Sequence, residues 1–188
     1  MSQFIQTSIK QFAYYKLLGE KTFEQLKDEQ FLVCPNDQSN SIAIIVQHLH
    51  GNMMSRWSDF MNSDGEKEWR KRDEEFEIIL NTREEMMSKW NEGWACLFKA
   101  LGQLKEEDLN RIIYIRNEGH TVSEAILRQL AHYPYHVGQI VYIGKLLKED
   151  SWNSLSIPKK ASAMYNAAKF SKEKGIRHFT DETPDKES

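Results

Sequence analysis

Four separate stretches of the chain return an apolar residue every three or four positions, a period that only a helix with one buried face satisfies. The first covers residues 3 to about 26 and places Ile5, Ile9, Phe12, Leu17, Phe23 and Leu26 on one stripe, with Lys and Glu between them. A second, which Ser39 or Asn40 can cap, runs to about residue 61 through Ile42, Ile45, Val46, Leu49, Met53, Trp57 and Phe60. The third opens on the capping-box sequence Thr82-Arg83-Glu84-Glu85, turns Met86, Trp90, Leu97 and Phe98 inward, and is expected to end at Gly102. A second capping box, Thr121-Val122-Ser123-Glu124, starts the fourth, which continues to about residue 148. None of these helices can hide its stripe alone, so the pattern predicts an all-α fold, a four-helix bundle.

Three segments fall outside the helices. Residues 62–81, NSDGEKEWRKRDEEFEIILN, begin on a turn-forming Asp64-Gly65 and mix charge with Trp69 and Phe76. They predict a long ordered excursion between helices two and three whose charges are mostly solvated. Residues 111–116, RIIYIR, are too short for a sheet of their own and predict an extended connector. After helix four comes a C-terminal extension: Trp152, Leu155 and Ile157 are expected to pack on the bundle, and a short helix is expected near 161–170. Residues 1–170 are read as one domain and 171–188 as a charged, flexible tail, with TDETPDKES at its end disordered.

Charge excludes some functions. The 188 residues carry a net charge of -3, so no positive field gathers phosphates, and nucleic acid is not an expected partner. Cys34 and Cys96 lie far apart and outside any CxxC, which argues against a disulfide framework or a thiolate zinc site. No basic leader precedes an apolar block and no apolar run approaches the ~20 residues that span a bilayer. A cytoplasmic protein with no membrane partner is expected.

The chemistry lies in the histidines. In AHYPYHVGQI, His132 and His136 sit one helical turn apart, their Cβ atoms about 5–6 Å from each other. Such a pair can converge on one ion, or can be two ordinary solvated residues. On a helical wheel Val122, Ile126, Leu130, Tyr133, Val137 and Ile140 form the apolar centre, and the pair lies on its shoulder beside Gln129 and Gln139. Helix two contributes His48 and His50, which project about 200° apart, so only one can face the pair, and periodicity does not choose. His120 and His178, in a loop and the tail, are expected to be solvated. Three neutral imidazoles from two helices would suit Zn²⁺ or Ni²⁺ better than Mg²⁺ or Ca²⁺, and would leave coordination positions for water or substrate. Pro134, between the pair, is expected to bend the helix rather than end it.

The segments SIAIIVQHLHGNMMSRW (41–57) with DGE (64–66), EGHTVSEAI (118–126), HYPYHVGQI (132–140) and WNSLSIPKK (152–160) together resemble the DinB/YfiT-like superfamily of metal-binding four-helix bundles, and most closely its DUF1572 branch. The resemblance implies that one histidine of helix two joins the HxxxH pair on a divalent metal, often Ni²⁺ or Zn²⁺, with Mn²⁺ or Fe²⁺ as alternatives. Through QHLxGN it selects His48 over His50, and it assigns His132 and His136 directly. Many relatives carry an arginine where this chain has Val137, so no role of that arginine transfers. Some relatives join a low-molecular-weight thiol, such as bacillithiol or mycothiol, to an electrophile; others are isomerases or hydrolases.

The expected function is therefore a metal-dependent thiol S-transferase of stress or detoxification metabolism acting on a small molecule. The alternatives are a metal-dependent hydrolase or isomerase, and a non-catalytic binding bundle whose metal is structural or absent. The reacting group would be a thiol or water at the metal. Arg56 and Tyr135 are candidates beside it, Arg56 either as a clamp for a substrate carboxylate or as an ion-pair partner of Asp59 or Glu66. Asn52, Gln129 and Gln139 are expected nearby, and Trp57 and Trp152 as pocket wall or core. A homodimer is expected to cover leftover apolar surface.

Overall fold

Threonine caps set two of the four long helices. Thr82 accepts the amide hydrogen of Glu85 at 3.2 Å while the Glu85 carboxylate takes the Thr82 N–H, which opens α3 (Arg83–Gln103). Thr121 and Glu124 make the same reciprocal pair and open α4 (Val122–Lys148). Ahead of these lie α1 (Gln3–Glu24) and α2 (Ile42–Trp57). The computed structural model describes residues 2–77 and 80–181.

Helix ends depart from the sequence expectation for local reasons. Ser41, rather than Ser39 or Asn40, caps α2 by accepting the Ile44 N–H at 3.3 Å, because Ser39 is folded into a turn on Asn36. The helix stops at Trp57 instead of near residue 61: Ser58 is extended, Asp59 takes a positive φ of 47°, and the Asp59 carbonyl accepts the amides of Asn62 and Ser63. Gly102 does not end α3, which runs on to Gln103, where the buried Leu104 turns inward with extended backbone. Pro134 lies within α4, which continues on both sides of it.

α2 packs against α3 and α1 against α4, and further contacts of α2 with α4 and α1 with α3 close the bundle. Its centre is a chain of aromatic rings: Phe23 to Trp90 at 5.1 Å, Trp90 to Trp94 at 5.3 Å, Trp94 to Tyr133 at 5.9 Å and Tyr133 to Phe12 at 5.8 Å. Two glycines admit the close approach of α1 to its neighbours. A Cβ at Gly19 would stand 2.6 Å from Trp90, and one at Gly144 would stand 2.4 Å from the Thr22 methyl. On α4 the predicted stripe is buried, with Leu130 half-buried at its edge.

Residues 111–116 form more than a connector. β1 (Ile112–Ile115) pairs antiparallel with β2 (Glu118–Thr121), Ile112 opposite Thr121 and Ile115 opposite Glu118. The two-residue turn, Arg116 and Asn117, has positive φ at both positions (57° and 60°), the conformation that matches strand twist in tight hairpins. Ile113 and Ile115 are buried while Ile112 and Tyr114 are exposed, and β2 leads straight into the cap of α4.

The excursion between α2 and α3 is stitched to this hairpin. The Asp64 carboxylate accepts the amides of Arg116 (2.8 Å) and Asn117 (2.9 Å), and the Gly65 N–H donates to the Tyr114 carbonyl (2.8 Å). Further on, a single 3-10 turn (Asp73–Phe76) is held on α2 by the Gln47 amide, which donates to the carbonyls of Glu74, Glu75 and Glu77. Most charges of the excursion are exposed, as expected, and Arg70 and Glu75 are the buried exceptions.

At the C-terminal end Trp152 is half-buried over Gly144, and Asn153 exchanges two hydrogen bonds with the Gln25 side chain (2.8 and 3.1 Å). Ile157 does not pack as expected; it is 42% exposed. A short α5 (Ser162–Phe170) follows. Thr180 and Asp181, expected to be disordered, belong to a final turn set against α1, where Lys10 pairs with Asp181 at 2.7 Å and Tyr14 meets Phe179 edge to face. The rest of the expected disordered end, 182–188, lies outside the described residues. Among the described residues no helix is long and apolar enough to cross a membrane.

Candidate metal site

His48 on α2 and His132 and His136 on α4 come together across the α2–α4 seam, one ring nitrogen of each within 4.8 Å of the others. The rings meet at steep angles, with the ring centroids of His136 and His132 4.9 Å and 5.6 Å from that of His48. The Nε2 atoms of His132 and His136 are 3.1 Å apart.

The other ring nitrogens fix the tautomers. His132 Nδ1 faces Gln129 Oε1 at 3.3 Å, His136 Nδ1 faces Gln139 Oε1 at 2.8 Å, and His48 Nδ1 faces Glu75 Oε2 at 2.9 Å. Amide and carboxylate oxygens accept, so each Nδ1 donates, and in His132 and His136 a neutral ring so held keeps a bare Nε2. Burial, then the neighbouring His136 and His48 and the Arg56 and Arg70 charges, pushes His132 down to about 3. Burial, with His48 beside it, lowers His136 as well. Both rings are thus neutral near pH 7, and neither Nε2 has a proton to share with the other. Two lone pairs at 3.1 Å repel unless a cation lies between them. Nitrogens that share one tetrahedral ion at ~2.0–2.1 Å sit roughly 3.3 Å apart, so the His132–His136 spacing is that of two ligands on one ion, with His48 close enough to join them.

Beneath His48 lies a buried carboxylate that the sequence did not reveal. Glu75 reaches back from the excursion and is gripped by Arg70 through two bonds, Nε to Oε1 at 2.7 Å and Nη2 to Oε2 at 3.0 Å. Burial raises its pKa, but the hydrogen bonds from His48 and Arg70 and the guanidinium charge outweigh that, and the carboxyl is held below its ordinary range. An ionised carboxylate behind a ligating imidazole fixes the ring and raises its basicity. Gly51 explains how the carboxylate gets so close: a Cβ there would stand 2.2 Å from Glu75 Oε1. Phe76, from the same turn, stacks on His48 at 5.0 Å. A glycine inside a helix, next to a histidine, was the one sequence signal of this approach.

The other candidates sort themselves by contact. Asn52 accepts the Tyr133 hydroxyl at 3.0 Å, and the Trp57 indole donates to that same hydroxyl oxygen at 2.9 Å, so Trp57 is core beneath the site. Trp152 lies by Gly144 and not at the histidines. Tyr135 is 64% exposed, with its ring edge-on to His136 at 5.1 Å. Arg56 is buried and hydrogen-bonds the Gly65 carbonyl; it pairs with Glu66 at 3.3 Å, and Asp59 instead holds Asn62. His50 turns the other way, to Glu92 on α3 at 2.9 Å. His120 is half-buried in β2 rather than solvated, and His178 bonds Thr180; neither joins the cluster. Cys34 is exposed and Cys96 half-buried, both as free thiols.

The three imidazoles open on a cavity of about 380 Å³, whose wall also includes Asn52, Phe76, Gln129, Tyr135 and several arginines. That volume is at the small end of ligand sites, which run ~300–1,000 Å³.

The match to known proteins agrees with this architecture. No curated protein matches the chain. A crystal structure of a conserved protein from Enterococcus faecalis superposes with a TM-score of 0.59 at 17% identity, over 78% of this chain and 98% of that one, a likeness of fold alone. The family model described as "Protein of unknown function (DUF1572)" covers residues 1–161. By that match over most of its length, the chain belongs to the DUF1572 family.

Proposed function

We propose that the protein is a divalent-metal-dependent enzyme of the DinB-like class that joins a low-molecular-weight thiol to an electrophilic small molecule. One observation carries the reading: the bare Nε2 atoms of His132 and His136 face each other at 3.1 Å, beside His48 and at the edge of a cavity. Neutral imidazoles suit Ni²⁺ or Zn²⁺ first, and Mn²⁺ or Fe²⁺ less well. An ion held there would act as a Lewis acid and favour the thiolate of a thiol entering the cavity.

The protein's own side chains do the rest. Gln129, Gln139 and Glu75 keep the imidazole protons on Nδ1 and fix the ring directions. Phe76 and Tyr135 give the cavity an aromatic border that limits water. A thiol entering the cavity must give up its proton, which an ion at the imidazoles would make acidic enough for solvent to take, and the thiolate is then itself the nucleophile. Hydrolysis or isomerisation calls for a group that moves a proton, and among the described residues lining the cavity there is no carboxylate. This favours thiol transfer over the hydrolase and isomerase alternatives. A reducing cytoplasm suits both the free thiols and the proposed co-substrate.

The test is elemental analysis of untagged protein purified without chelator or immobilised nickel, with His48→Ala and His136→Ala alongside. About one equivalent of transition metal, as expected of a three-imidazole site, should be present and should be lost in both variants. The loaded protein should then consume a low-molecular-weight thiol in the presence of an electrophile. No metal, and none taken up on titration, would leave a non-catalytic helical binding protein as the better reading.

A further inference from the structure

Arginine is concentrated on one wall of the molecule. Arg56, Arg70, Arg72, Arg116 and Arg128 all line the histidine cavity, five of the eight arginines in the chain, whereas none of its lysines does. They are drawn from the C-terminal part of α2, the excursion, the hairpin turn and the first half of α4. The chain as a whole is acidic at -3, so this is no sample of its average surface. The choice of arginine matters as well: its planar fork matches carboxylate and phosphate oxygens two at a time, where an ammonium offers a point charge.

The acidic groups present do not balance the wall. Glu66 is shared by Arg56 (3.3 Å), Arg70 (3.6 Å) and Arg116 (3.0 Å), and Glu75 serves both Arg70 and His48. Arg72 and Arg128 are exposed, and among the described residues neither forms a salt bridge; Arg72 only stands over the Phe76 ring, 5.5 Å from its centroid.

The wall is also built rather than gathered by chance, and the DGE triplet at 64–66 builds it. Asp64 clamps the amides of Arg116 and Asn117 and so sets the hairpin turn that carries the Arg116 side chain. Gly65 gives its carbonyl to Arg56 and lies so close that a Cβ there would stand 3.2 Å from Arg56 Cδ. Glu66 then brackets three guanidinium groups with one carboxylate.

We propose that the cavity recognises a small substrate with at least two anionic groups, carboxylate or phosphate, which the arginine wall holds while its reacting end faces the histidines. The inference rests on the proposed function only in taking this cavity as the substrate site. Arg116 and Arg128 are binding residues in this account, and Asp64 and Glu66 are positioning residues.

Isothermal titration calorimetry on the full chain tests it at fixed ionic strength, with succinate, inorganic phosphate and the uncharged succinamide as probes. Each is run on metal-loaded and on chelator-stripped protein, because the succinate carboxylates can also ligate an ion directly. Succinate or phosphate should bind in both forms and succinamide in neither; the tighter of the two anions identifies the group recognised. Arg116→Gln and Arg128→Gln, both at exposed positions that the fold does not need, should each weaken the anion about tenfold, the worth of one charged hydrogen-bonded contact. Equal binding of succinate and succinamide, no binding of either anion, or unchanged affinity in both variants would overturn the proposal. Metal content measured on the same samples keeps the two readings apart. Arginine-dependent succinate binding in a protein that takes up no metal defeats the metal reading alone; stoichiometric metal with no such binding defeats the wall alone.

Discussion

The seam between α1 and α3 and the seam between α2 and α4 are built in opposite ways. At the first, Phe12, Phe23, Trp90 and Trp94 pack ring against ring, and the indole N–H groups of Trp90 and Trp94 are buried without a partner. At the second, His48, Glu75, Arg70 and Arg56 are buried, and among the described residues Arg56 Nε is the one fully enclosed side-chain nitrogen or oxygen of the four without a hydrogen-bond partner. Aromatic packing tolerates an orphaned donor, since burial of the ring outweighs the ~1–3 kcal/mol that an unsatisfied group costs. Buried charges have no such surplus, because desolvation takes several kcal/mol per ion. The dry seam therefore supplies stability, and the polar seam consumes some of it to hold a geometry.

The sharpest break in that contrast is Trp94→Ala. It should cost about 3–5 kcal/mol in denaturant unfolding and leave the metal bound per folded molecule unchanged. A small stability loss, or a loss of metal without unfolding, would dissolve the division between the seams. On the other side, Glu75→Gln should lower metal affinity about 10–100-fold, read by competition with a chromophoric chelator, because the imidazole it orients loses an anionic partner. It should also lower the thermal midpoint, since Arg70 is left with a weaker partner in a buried place. Unchanged affinity would make Glu75 an ion-pair residue only.

Acid sharpens the contrast further. His132 and His136 have folded pKa values below the ordinary 6.5, so beneath that pH the unfolded chain binds more protons than the folded one. The stripped protein should lose stability as pH falls from 6.5 toward about 3, where His132 itself takes a proton in the folded state. A His132→Gln, His136→Gln double variant should be flatter between pH 6.5 and 5; equal slopes would remove the histidines as the cause. The smallest effect is at Gly138, on the exposed face of α4, where a Cβ would meet nothing within 4 Å. Gly138→Ala should gain about 0.5–1 kcal/mol by helix propensity. Gly144→Ala, on the same helix, meets the Thr22 methyl at 2.4 Å and should destabilise.

What could be read from sequence follows the range of the interactions. The capping boxes and the His132–His136 pair act within four residues, and a local pattern exposes them. His48 against His50 was undecidable by spacing, because both sides of α2 meet another helix; only the motif match chose, and the two histidines indeed face α4 and α3. Glu75 and Arg70 were hidden in a charge-rich run that looks like solvated surface, since nothing local says that a glutamate will reach a histidine 27 positions earlier. The hairpin was missed because its second strand, EGHT, has little strand propensity and is held by pairing and by Asp64. Gly102 misled because glycine ends a helix only when a positive φ is needed, and the turn into Leu104 needs none.

The bond from Asp64 to the hairpin spans 52 residues, and the one from Trp57 to Tyr133 spans 76. During synthesis, a chain that has emerged only through α3 possesses His48 and its buried carboxylate but neither the hairpin nor the two imidazoles of α4. Glu75 can hold Arg70 at that stage, yet the cavity has no far wall. The three-imidazole site therefore exists only once α4 has emerged: an ion bound there would not nucleate the bundle, and would lock a fold that the aromatic centre has already drawn shut.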